Sequence, residues 1–139
     1  MTLGVVSVAD ELVTTRPRRP LATRVDQVEE LLAHLREQWH LLVKTDNLFG
    51  PRFALGGVLL QLQLLEELLV SARAAARIEF VKLAAQYAES AAWLYEDSGD
   101  LSTAQTYNSR AMAWAHEAGD DGLAAWTLFR RSQQATLPR

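Results

Sequence analysis

The sequence predicts an all-α protein of antiparallel helix hairpins, about five helices with no sheet. Three observations predict it. Apolar residues recur at steps of three and four from Val25 to Phe129, the spacing that aligns one face of a helix. Breakers are few, with 4 prolines and 7 glycines in 139 residues, and Ala, Leu, Glu and Arg, all strong helix formers, fill the space between them. The breakers also fall between periodic stretches, as Asn47 and Gly50-Pro51, and as two Gly-Asp pairs at 99–100 and 119–120.

Residues 1–20 carry no sustained period and read as an N-terminal arm or linker, in which Pro17 and Pro20 disfavour helix for their predecessors. The helical domain spans 21–139. Helix one is expected over 21–44, with Val25, Val28, Leu31, Leu32, Leu35, Trp39, Leu42 and Val43 on one stripe. Helix two is expected over 51–72, opened by Pro51 and apolar almost all round, which predicts a central helix or one covered by a second molecule. Gly56 and Gly57 inside it read as close helix packing, since a phosphate loop needs the Lys-Ser/Thr that is missing.

Helix three is expected over 74–98, with a packed side of Ile78, Val81, Ala84, Ala85, Ala88, Ala91, Ala92 and Tyr95. Gly99 is its left-handed stop and Asp100 the cap of helix four, 101–118. Gly119 ends that helix, and Asp120 or Asp121 caps helix five, 122–134.

Composition narrows the function. Hydrophobic residues make up 49 % and charged residues 22 % of a chain long enough for one sizeable core. Cysteine is absent, which removes disulfides, thiolate metal ligands and a Cys nucleophile. A net charge of −3 argues against a dedicated nucleic-acid binder, whose affinity comes from basic groups on phosphates. The basic cluster Arg16, Arg18, Arg19 and Arg24 reads as solvated. The most apolar stretch, 53–70, carries Glu66 and Glu67, which points to a buried helix rather than a membrane span. With no basic stretch leading an apolar one at the start, the expected location is cytoplasmic.

No constellation for catalysis is evident. His34 and His40 lie about 240° apart around a helix, and His116 is remote, so metal ligation is not expected. Glu66 and Glu67 diverge by about 100°, and Asp120-Asp121 is explained by capping. The expectation is a protein without enzymatic activity, metal or cofactor.

A resemblance adds to this reading. Residues 85–118 have the length of one tetratricopeptide unit, and Tyr95, Gly99-Asp100, Leu101, Ala104, Tyr107 and Ala111 stand where that motif has its tyrosine, its turn and its packing positions. Ala88, Ala92 and Asn108 depart from it, and no proline follows at His116. The stretches 85–100 and 111–120, with Leu64-Leu-Glu-Glu-Leu-Leu, resemble the C-terminal tetratricopeptide-like domain of actinobacterial helix-turn-helix (XRE-type) transcriptional regulators, over about residues 25–135. The resemblance implies a right-handed stack of helix hairpins and a regulatory role. It stops short of that family's DNA-binding domain, so direct DNA binding is not expected of this chain.

Of the four tryptophans, Trp39, Trp114 and Trp126 are expected in the core. Trp93 lies two residues before Tyr95, hence about 200° away from it, on a stripe shared with Gln86, Glu89 and Glu96. That stripe is the candidate recognition surface for a peptide, a small signal molecule or a protein partner. The rival expectation is that a helix covers it. A purely structural homodimer through helix two, without ligand, is the alternative function. Circular dichroism should show helix and no measurable strand component.

Overall fold

The computed structural model describes residues 27–136, which form five helices. The expected arm lies outside the described residues, as does the start expected for the first helix. The helices are α1 (Val28–Phe49), α2 (Pro51–Ser71), α3 (Ala74–Asp97), α4 (Leu101–Ala118) and α5 (Asp121–Ala135). Among the described residues there is no strand. Consecutive helices pack as hairpins, and α1 and α5 also reach α3.

α1 runs five residues beyond the expected end at Lys44. Asn47 does not stop it, because the asparagine is solvent-exposed and nothing else breaks the ladder. The Thr45 hydroxyl donates to the Leu41 carbonyl at 2.9 Å, inside the helix. The stop is Gly50, at φ +94°, whose N–H bonds the Asp46 carbonyl at 2.8 Å. Pro51 then opens α2.

The two Gly-Asp pairs build the same joint twice. Gly99 has φ +86° and Gly119 φ +70°. The Asp100 N–H reaches back to Tyr95 O at 2.9 Å and the Gly99 N–H to Glu96 O at 3.0 Å. Twenty residues on, Asp120 N–H bonds Ala115 O at 2.9 Å and Gly119 N–H bonds His116 O at 3.1 Å. This paired six-to-one and five-to-two bonding is the Schellman stop, which needs a left-handed residue at the glycine. Each aspartate also starts the next helix: Asp100 accepts from Thr103 N at 3.1 Å and Asp120 from Leu123 N at 3.0 Å. One residue thus satisfies orphan groups of two helices.

The central helix is α3, not the leucine-rich α2. Phe80, Val81, Leu83, Ala84, Ala85, Tyr87, Ala88, Ala91, Ala92 and Leu94 are all buried, because α3 touches each of the other four helices. Its alanines let α4 approach, and α4 answers with buried Ala104, Ala111 and Ala115. Ile78, expected on the packed side, is exposed, and Tyr95 is half-buried, stacked on Tyr107 with ring centroids 5.5 Å apart. Tyr87 is sealed in, and its hydroxyl donates to the Leu35 carbonyl of α1 at 2.6 Å.

The leucines of α2 are mostly absorbed inside the chain. Val58, Leu62, Leu65, Leu68 and Leu69 are buried, and Leu55, Leu59 and Leu64 pack against the same core. Phe53, Leu60 and Val70 remain exposed. α2 is, among the described residues, the one helix long and apolar enough to cross a membrane by length and composition, at mean hydropathy 1.6. Here it packs between α1 and α3. A Cβ on Gly57 would collide with Leu42 of α1, so this glycine permits close approach, whereas Gly56 faces open space.

Two outcomes test this frame. Gly99→Val should lower stability by about 1–2 kcal/mol in urea denaturation, because a β-branched residue is strained at positive φ. Tyr87 supplies a pH test. Burial raises its pKa above the ordinary 10.0, so the folded state keeps the proton that the unfolded chain releases. Its contribution is intact below pH 10 and declines as pH rises past it. Tyr87→Phe should therefore cost about 1 kcal/mol at neutral pH through the lost hydrogen bond and should flatten the alkaline decline in melting temperature.

Candidate functional site

The odd-numbered helices line one furrow. α3 is its floor, and α1 and α5 are its walls. A cavity of about 340 Å³ is bounded by Trp39, Asp46 and Asn47 of α1, by Glu89, Ser90 and Trp93 of α3, and by Trp126 of α5, over an apolar base of Leu42, Val58 and Leu94. A second cavity of about 540 Å³ continues the furrow toward the start of α3 and is bordered by Arg36, Glu79, Lys82, Gln86 and Asp120. Trp126 borders both.

The expected stripe is therefore distributed along the furrow. Trp93, 42 % exposed, and Glu89 line the first cavity, and Gln86 lines the second. Glu96 is not on either. Its carboxylate is held by α5, at 2.6 Å from Arg130 Nη2 and 3.1 Å from Gln134 Nε2. Glu89 also meets α5, accepting from Trp126 Nε1 at 2.9 Å. So α5 takes up one end of the stripe and leaves the middle open. The helix that was expected as a rival occupant is present, but it crosses the stripe on polar side chains rather than sealing it.

Arg130 makes this crossing. Only 5 % of it is exposed. Its guanidinium centre sits 4.2 Å from the centroid of the Trp93 ring, a cation–π contact, while Nη2 pairs with Glu96. A buried charge needs a partner of this kind. Asn108 of α4 adds a second tie, donating from Nδ2 to the Thr127 carbonyl at 2.8 Å while buried between α4 and α5. A polar residue suits this position because it faces a backbone acceptor.

Several site residues were not anticipated. Trp126, expected in the core, is exposed on the furrow. Trp39 is half-buried, and its indole N–H donates to Ser90 Oγ at 2.8 Å, which orders the wall formed by α1. Asp46 sits beside the cavity with its pKa raised, first by burial and then by the neighbouring Asp97 carboxylate. Thr127, Arg130 and Gln134, spaced by three and four on one face of helix five, were the available signal. A polar stripe of that kind carries meaning only once its partner, Glu96, is known.

The other candidates stay apart. His34, His40 and His116 are all exposed, and among the described residues no three His, Asp or Glu side chains gather as a metal site. Glu66 pairs with Arg110 of α4 while Glu67 points to solvent, as their angular separation requires. No family model matches the chain, and no curated protein or solved structure does so either.

Arg130→Met should destabilise the protein by about 2 kcal/mol in urea denaturation, less than a fully buried pair because Glu96 is partly solvated. Adding Glu96→Gln to that variant should restore about half of the loss, since it removes the unpaired charge.

Proposed function

We propose that the chain is a non-enzymatic regulatory or interaction domain whose furrow along α3 receives a peptide, a small signal molecule or a protein segment. One observation carries this reading. Two tryptophans, Trp93 and Trp126, stand exposed on a concave surface beside Glu89, over an apolar floor. Aromatic anchors with a few convergent polar groups in a cavity of about 300 Å³ or more are the usual make-up of a ligand site.

A tetratricopeptide-like arrangement is part of the proposal. It is supported by the repeated Gly-Asp joint and by alternate helices lining one face. The resemblance to XRE-type regulators extends the reading to transcription regulation in the cytoplasm, with this portion sensing a signal. The net charge of −3 supports leaving direct nucleic-acid contact to another domain.

Homodimerisation is the second reading, and a specific observation favours it. Leu48, Phe49 and Phe53 are exposed near the α1–α2 corner, with Leu60 exposed farther along α2, and the rings of Phe49 and Phe53 touch edge to face at 6.3 Å between centroids. Sedimentation at high micromolar concentration should show a dimer that Phe53→Glu dissociates.

The four indole N–H groups test the main reading. In a screen of peptides and small molecules followed by proton–nitrogen correlation spectra, binders should shift Trp39, Trp93 and Trp126 and leave Trp114, on α4, in place. Trp93→Ala should keep the fold and abolish the response. Responses confined to Trp114, or undiminished in Trp93→Ala, would sink the assignment.

A further inference from the structure

We propose that the cavity between α1 and α5 is a receptor for a small organic cation, a protonated amine carried on an apolar body. The inference rests on the preceding reading that the furrow is the recognition surface, and it names the chemistry of the occupant.

The charge of the lining is one-sided. Asp46 and Glu89 border the cavity, and no lysine or arginine does. Among the described residues neither carboxylate forms an ion pair. The nearest buried cation, Arg130, is committed to Glu96 and is not part of the lining. Asp97 adds a further negative charge close to Asp46.

The hydrogen-bonding groups lean the same way, because the only charged ones are acceptors. The indole N–H groups of Trp39 and Trp126 are spent on Ser90 and Glu89 within the protein. What remains is the second oxygen of Glu89 and the carboxylate of Asp46, both anionic acceptors, against two neutral donors, the Trp93 indole and the Asn47 amide. An anionic ligand would meet two like charges and no cationic donor. A neutral apolar ligand would displace water from the carboxylates and replace it with nothing, which is unfavourable. A cation offers donors to both carboxylates and is attracted by indole rings, of which three border the space. The apolar base of Leu42, Val58 and Leu94 accounts for the rest of the ligand.

Size and surroundings favour a small molecule over a basic peptide. About 340 Å³ is the lower end of the range for small-ligand sites. A peptide continuing along α3 would enter the second cavity, where Arg36 and Lys82 stand with Glu79 and Asp120 and both cations already pair with Glu79, so the one-sided acidity ends with the first cavity.

The test uses three ligands of one skeleton on the full chain: phenylbutylamine, phenylbutanol and phenylbutanoate. Binding is followed by the indole N–H resonances and by tryptophan fluorescence. The amine should bind about tenfold tighter than the alcohol, and the acid should not saturate. Asp46→Asn and Glu89→Gln should each lower the amine's affinity toward that of the alcohol and leave the alcohol's unchanged. Thermal melts confirm folding, and Asp46→Asn decides alone if Glu89→Gln does not fold, since Asp46 holds no helix–helix ion pair. Equal affinity for amine and alcohol would overturn the cation assignment while leaving the furrow a binding site. A lysine-centred apolar pentapeptide binding more tightly than the amine would overturn the small-molecule assignment. Silence toward all four probes would overturn this proposal, and the broader screen would then judge the furrow separately.

Discussion

The structure depends on how closely helices can approach α3. An alanine face on α3 meets an alanine face on α4, with Ala85, Ala88 and Ala92 on one and Ala104, Ala111 and Ala115 on the other, all buried. Small side chains shorten the interaxial distance, and a helix with small residues on one side can accept neighbours on several sides at once. α3 does so with large residues turned elsewhere, Phe80, Leu83, Tyr87 and Leu94 among them, which fill the space toward α1 and α2. Leucines on α2 then contribute bulk, but not position. This is why the richest hydrophobic helix is not the central one.

The furrow follows from the same arrangement. With α2 and α4 packed against one side of α3, α1 and α5 are left to flank its other side. The floor is then formed by α3 residues left partly exposed, Glu89 and Trp93 among them, which α5 meets through the Trp126 indole and the Arg130 guanidinium. Fixed anchors hold the walls at their spacing: Tyr87 and Ser90 bind α1, and Glu89 and Glu96 bind α5. These anchors are polar, directional and few, so they set distance without filling the gap. A fully apolar interface in the same place would have closed it, because apolar surfaces gain by contact.

The α5 interface also shows how a buried charge can position an element. Arg130 is enclosed by the Trp93 ring and the Glu96 carboxylate, and Gln134 closes the set on the same carboxylate. Such a cluster contributes less net stability than an apolar one of equal volume. It specifies one register of α5 against α3, because only one rotation of α5 places Arg130 and Gln134 on Glu96 together. The two exposed tryptophans are aligned by that register.

What the sequence determined by itself is local. Helix number, the joints at Gly99-Asp100 and Gly119-Asp120, and the small-residue face of α3 were all legible, because capping and left-handed glycine act within a few residues and periodicity reports one face of one helix. Even there α1 outran its expected end, since an exposed asparagine costs a helix little while Gly50 stops it outright. Trp93, Glu89 and Gln86 were rightly turned away from the packed side by angle alone. Only the tertiary structure decided the rest: that Glu96 belongs to α5, that Trp126 opens onto the furrow, and that Trp39 and Asp46 form its other wall. Those facts depend on which face of one helix meets which face of another some 34 to 52 positions away in the chain, and periodicity carries no information about a partner at that distance.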